Sequence, residues 1–226
     1  MIDLNEYLDR LIPACKTVFG DRLLYVGLQG SYLRGEATED SDIDVMVIID
    51  RLSVADLDAY RLVLEQIGHF DKACGFLCGK DEMTHWNTLE ITSLARSTKD
   101  LYGALSDYLP QTTRADAIKY VRYNLGALYH ELCHRYVHAD REKNIRAFRR
   151  TCKGLYFLIR DLYELESGTF AATKRELKER VCGEDRKMLS MAELPDGFDF
   201  DAAFSDVFRW AQNAIVRTER LQAQAE

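Results

Sequence analysis

Asp42 and Asp44 stand two residues apart at the end of GSYLRGEATEDSDID, residues 30–44, and they open an apolar run, Val45–Ile49. Successive side chains of a strand alternate faces, so the two carboxylates share one side while Ile43 points into a core. Two like charges held this close call for a cation between them. A hard divalent ion such as Mg²⁺ takes one or two carboxylates and fills the rest of its shell with water and phosphate oxygens, which makes a triphosphate the expected guest. Upstream, the apolar run Leu23–Leu28 empties into Gln29-Gly30-Ser31. Gly30 lets backbone amides approach a phosphate closely, the Ser31 hydroxyl adds a donor, and Arg34, one helical turn on, is placed to reach the same oxygens. Gly-Ser is a common dipeptide and Asp-Ile-Asp is often solvated charge. Their combination in a strand, turn and strand context is what carries information.

Gly30-Ser31 followed about ten residues later by Asp42-Ile43-Asp44 resembles the signature of the DNA polymerase beta-type nucleotidyltransferase superfamily. That resemblance implies a mixed sheet flanked by helices, one or two Mg²⁺ ions held by Asp42 and Asp44, ATP as co-substrate, and a third carboxylate on a neighbouring strand. Three elements follow the signature. Ser53 and Asp56 mark a helix start, with Leu57, Tyr60, Leu64 and Ile67 at helical spacing. Ala73–Cys78 and Thr88–Thr92 both read as strands. In the second, TLEIT, Leu89 and Ile91 fall on one face and leave Glu90 on the other with the threonines. Spacing alone leaves Glu90 open between a solvent-facing and a catalytic role. Its Leu-Glu-Ile-Thr setting resembles the strand that bears the catalytic glutamate of streptomycin and spectinomycin adenylyltransferases, which implies Glu90 as proton acceptor and third metal ligand. Asp71 competes for that place, but an ion pair with Lys72 accounts for it.

The chain has 226 residues, 47% of them hydrophobic and 30% charged, the profile of an ordinary globular protein with room for one large or two small domains. The acidic start MIDLNEYLDR lacks a basic and apolar leader, and no apolar stretch approaches the ~20 residues that span a bilayer. Six cysteines are scattered without a C-x-x-C pair, as expected of reduced thiols in the cytoplasm. A net charge of −7 disfavours a polynucleotide partner, whose phosphates call for a basic footprint, and suits a small acceptor.

Pro110 within Ser106–Thr113, followed by Thr113 and Asp116 as a new helix start, divides the chain into a nucleotidyltransferase domain at 1–109 and an all-α helical bundle at 110–226. The fold class expected is therefore α+β. The first helix of the bundle carries the stripe Ile118, Val121, Leu125, Leu128, Leu132 and Tyr136. It also contains His130-Glu131-Leu132-Cys133-His134, a formal match to a zinc-peptidase motif, with His138 beyond. The histidines lie opposite the apolar stripe. His130 and His138 are ~12 Å apart along a straight helix, against a Zn–N bond of ~2.1 Å, so a zinc site is rejected.

The next helix, about 144–166, sets Phe148, Thr151, Leu155, Leu158, Leu162 and Leu165 on one face and Arg146, Arg149, Arg150, Lys153 and Arg160 on the reverse. After it, Gly168 leads to Lys174 in the first turn of a helix capped by Thr173 and Glu176. A cation is misplaced there unless an anion is bound. This Arg160, Gly168, Lys174 arrangement resembles the helical domain of the same adenylyltransferases, where an arginine and a lysine hold the triphosphate. A ribonuclease-type R-x(4–6)-H spacing is not found.

The chemistry expected is transfer of a nucleoside monophosphate, AMP from ATP, to a hydroxyl of a small acceptor such as an aminoglycoside, with release of pyrophosphate. The ligands would be Gly30, Ser31, Arg34, Ser41, Arg160 and Lys174 for the nucleotide and Asp42, Asp44 and Glu90 for Mg²⁺. Alternatives are adenylylation of a protein by an antitoxin-type enzyme, and a nucleotide-binding module without turnover.

Overall fold

Asp3 caps the first helix, α1 (Leu4–Phe19), by accepting from the amides of Asn5 and Glu6, and the chain then enters β1 (Leu23–Leu28). A short helix, α2 (Gly30–Arg34), leads toward β2 (Ile43–Ile49), which returns antiparallel to β1. Ser53 and Asp56 form a reciprocal cap on α3 (Val54–Ile67), which crosses over to β3 (Ala73–Gly79), parallel to β2. Helices α4 (Lys80–Thr84) and α5 (Thr88–Arg96) precede β4 (Lys99–Tyr102), antiparallel to β1. The mixed sheet has the order β3-β2-β1-β4. This computed structural model describes residues 2–223, apart from the side chains of residues 89, 92 and 93. The chain separates into two units, Met1–Thr112 and Thr113–Glu226.

Period-two alternation along β2 builds two cores. Ile43, Val45, Val47 and Ile49 face α1 and α3, packing with Leu11, Cys15 and Val63, whereas Met46 and Ile48 face the other way, with Tyr25, Cys78, Met83 and Ile91. Each aliphatic side chain fully withdrawn from water contributes about 1.5–3 kcal/mol, so a slip of one residue, which exchanges the faces, is strongly opposed. The register Leu28↔Val45 therefore places the end of β1 beside the start of β2.

The expected strand at Thr88–Thr92 is instead the first turn of α5. The amides of Glu90 and Ile91 bond to Asn87 O, Trp86 and Glu90 pair at i,i+4, and Ile91 and Leu94 meet the sheet at helical spacing. Packing of that face outweighs the strand preference of a Thr-Leu-Glu-Ile-Thr run, because β-propensity reflects context more than backbone. The facing expected of Leu89 and Thr92 lies outside the described side chains.

The second unit has no strand among its described residues and is built of α6 (Arg114–His138), α7 (Arg141–Ser167), α8 (Lys174–Arg180), α9 (Gly183–Ser190) and α10 (Phe200–Ala223). Thr113 and Asp116 cap α6 reciprocally. Ile118, Val121, Leu125, Leu128 and Leu132 of α6 pack with Phe148, Leu155 and Leu162 of α7 and with Phe204, Val207 and Trp210 of α10. Tyr136, expected at the end of the α6 seam, is exposed. Asp185 accepts from the buried Trp210 indole N–H at 2.7 Å and from both terminal nitrogens of Arg217 at 2.8 Å, tying α9 to α10. Among the described residues no helix is long and apolar enough to cross a membrane. The fold is α+β.

Candidate active site

The site of the N-terminal unit is built where β1 hands over to β2. Gln29 N donates to Asp44 O at 2.9 Å, extending the β1–β2 ladder by one bond past Leu28. Its side chain is fixed by a 2.7 Å bond from Nε2 to Thr98 Oγ1. Gly30 follows with φ +69°, and a Cβ built on it would lie 1.8 Å from Asp44 Oδ2. Only glycine lets the turn sit against that carboxylate. Ile43 is fully buried, Asp44 half-buried and Asp42 exposed, so the two carboxylates flank a residue anchored in the core.

Around this pair, Ser31 lies in the first turn of α2 and its carbonyl accepts from Glu36 N at 2.9 Å. Arg34 is turned to Glu36, with Nε 3.0 Å from Oε2, and both side chains are largely buried. Ser41 closes the turn into β2: its amide donates to Thr38 O at 3.1 Å and its hydroxyl accepts from Thr38 N at 2.9 Å.

Glu90 requires correction. It sits on α5, and its Oε2 accepts from the Trp86 indole N–H at 2.7 Å on the rim of a cavity of about 200 Å³ lined by Phe76, Met83, Ile91 and Leu94. Among the described residues no three His, Cys, Asp or Glu side chains gather as a metal-binding group, so Asp42, Asp44 and Glu90 are not brought together as one. Asp71, the competitor, lies in a 3-10 turn ahead of β3.

The neighbouring strand instead presents Cys74. Parallel pairing of β2 with β3 sets Asp44 beside Cys74 and Met46 beside Phe76. Desolvation first, and then the adjoining Asp44 and Asp42 carboxylates, raise the Cys74 thiol above its ordinary range. Reading the sequence alone passes over this residue. A strand at 73–78 is legible, but its register against β2 depends on how α3 packs.

In the helical unit Arg160, placed with the basic residues on the reverse of α7 and expected as a nucleotide ligand, is buried: only 1% of it is accessible. Its guanidinium bonds the Asp161 carboxylate through Nε at 3.0 Å and a terminal nitrogen at 2.9 Å, and stacks near Tyr156, Phe157 and Phe170. Lys174 Nζ lies 5.7 Å from the Tyr156 ring centroid and the Arg160 guanidinium 5.8 Å, both within cation–π range. Both cations thus lie near one tyrosine. Thr173 caps α8 by accepting from Glu176 N, while Glu176 Oε2 takes the Ala172 amide at 2.8 Å.

Two carboxylates beside a glycine turn that a methyl group would fill form a hard-oxygen donor set that fits Mg²⁺. Over 67 residues, 30% of this chain, it is 39% identical to a Methanocaldococcus jannaschii protein whose name describes a protein adenylyltransferase; the stretch is 46% of that relative, so the chain spans about half its length. The fold is similar to that of spectinomycin adenyltransferase AAD(9) from Enterococcus faecialis, solved with ATP and spectinomycin, with a TM-score of 0.60 and 14% identity over 96% of this chain and 100% of the other. The family model of the nucleotidyltransferase domain matches residues 8–73, the span that holds Gly30, Asp42 and Asp44, so the N-terminal unit is similar to that domain.

Proposed function

We propose that the protein is a Mg²⁺-dependent nucleotidyltransferase that moves AMP from ATP to the hydroxyl of a small acceptor. The observation that carries this reading is the Gly30 turn held against the Asp44 carboxylate, with Asp42 two residues away. Asp42 and Asp44 would hold one or two Mg²⁺, which would supply charge neutralisation for the triphosphate and for the oxygens of an in-line displacement. Gly30 admits the backbone to the phosphates and Ser31 donates its hydroxyl to them. Arg34 gives charge to the same oxygens by leaving Glu36, and Ser41 holds the strand entrance. In the helical unit the exposed Lys174 would be a nucleotide ligand, whereas Arg160 is buried and paired with Asp161. The acceptor oxygen attacks the alpha phosphorus, the bond to the bridging oxygen breaks, and pyrophosphate departs. Glu90 is not gathered with the aspartate pair, and the hydroxyl proton would pass to solvent. A hydroxylated aminoglycoside suits the negative chain as acceptor.

The name of the M. jannaschii relative favours a second reading, in which the acceptor is a hydroxyl on a protein. Incubating the purified chain with Mg²⁺ and ATP labelled at the alpha phosphate, with an aminoglycoside panel or with cell protein, separates the two. Label on a small molecule supports the first reading and label on a protein the second. Label on neither, together with unchanged ATP binding in Asp44→Asn, would end both.

A further inference from the structure

The sheet decides which side chain stands next to the carboxylate pair, and that side chain is not an acid. In a parallel ladder, paired residues point to the same face one strand spacing apart, about 4.8 Å. The β2–β3 register pairs Asp44 with Cys74, and the next pair on that face, Met46 with Phe76, packs into the core above the same side of the sheet. Asp44 is therefore flanked by the Gly30 turn toward β1 and by Cys74 toward β3. Cys74 is exposed, as a residue lining an open site would be.

A thiol and a carboxylate differ here in charge and in hardness. Sulfur is a soft donor, whereas Mg²⁺ prefers oxygen and gives up its water reluctantly. Asp42 and Asp44 together neutralise one divalent ion, and Cys74 adds no hard oxygen donor for a second. Resting on the reading that Asp42 and Asp44 hold Mg²⁺ with the nucleotide, we propose that Cys74 is the specificity-determining residue that limits this site to one Mg²⁺. Nucleotide is then held well and transferred slowly, and an acid at position 74 supplies what the second ion lacks.

The test counts ions as well as turnover. Calorimetric titration of the full chain with Mg²⁺, in the presence of a saturating non-hydrolysable ATP analogue, gives the number of ions bound per nucleotide site; pyrophosphate release from ATP gives the rate. Wild type takes one Mg²⁺ per nucleotide site, the ion that arrives with the analogue included. Cys74→Asp takes two and releases pyrophosphate at least tenfold faster. Cys74→Asn, which has the shape of Asp without its charge, does not reproduce the gain. Two ions in the wild type overturn the proposal without recourse to any variant. So does a folded Cys74→Asp protein that still binds one, or a Cys74→Ala protein that loses its ion, since the thiol would then be a ligand. If the wild type binds no analogue with Mg²⁺, or binds it equally well as Asp44→Asn, the function proposed above falls too; a fixed single ion in Cys74→Asp with normal nucleotide binding sinks only the role of Cys74.

Discussion

Replacing Gly30 by alanine isolates the contact on which the site depends. Two costs arise from one methyl group. Gly30 has φ +69°, a left-handed conformation that costs a residue with a Cβ about 1–2 kcal/mol. The new Cβ also falls 1.8 Å from Asp44 Oδ2 and 2.7 Å from Asp44 Cγ, where ordinary contact begins at 3.4 Å. The Asp44 carboxylate must swing away or the turn must lift off it. Gly35 provides the internal control: φ is +68°, yet nothing lies within 4 Å of a Cβ built there. Gly35→Ala therefore pays the backbone cost alone, and both variants should melt lower by about 2–4 °C for each kcal/mol lost. Only Gly30→Ala should weaken Mg²⁺-dependent binding of a fluorescent ATP analogue, by tenfold or more, equivalent to at least about 1.4 kcal/mol. Equal affinities for the two alanine variants, measured by anisotropy at matched Mg²⁺, would refute the argument that the turn is built around Asp44.

Acid stability offers an independent check on the first unit. Arg22, bonded to Asp56 at 2.9 and 3.1 Å, together with Ser53, holds the Asp56 carboxyl well below the usual carboxylate range. Because the folded pKa is depressed, this stabilisation is whole above the unfolded carboxylate pKa of about 3.9 and fades as pH falls below it. Asp56→Asn should therefore lower the melting temperature at pH 7 and flatten its decline below pH 4, as followed by circular dichroism. In the helical unit, Asp185→Ala leaves the buried Trp210 N–H without its acceptor and removes a partner of Arg217, at a cost of about 1–3 kcal/mol that denaturant unfolding would register. Lys174→Ala should weaken ATP analogue binding without lowering the melting temperature, since Lys174 is exposed; a lower melting temperature with normal binding would assign Lys174 to the packing of Tyr156 instead.

Local signals were legible wherever neighbours in sequence do the work. Reciprocal caps at Ser53–Asp56 and Thr113–Asp116 join residues three apart, and both form. The alternation that buries Ile43 between Asp42 and Asp44 is likewise a short-range property of a strand. Thr88–Thr92 misleads because its β-branched residues read as a strand when taken alone, whereas the packing of Ile91 and Leu94 against Phe76 and Met83 selects a helix. Arg160 misleads for a related reason. It falls on the basic side of a helical projection, and only the aromatic rings of Tyr156, Phe157 and Phe170 make its burial tolerable, with Asp161 balancing the charge.

From the amino-acid order alone follow the glycine turn, the aspartate pair that opens a strand and the helical second half, because each rests on contacts within a few residues. Tertiary structure decided the neighbours of the pair: Gly30 closing on Asp44, Cys74 beside it, and Glu90 on a helix bonded to Trp86. Those depend on strand register and on which helix covers which face. Both are settled by burying side chains distant in sequence, an energy that no local pattern records.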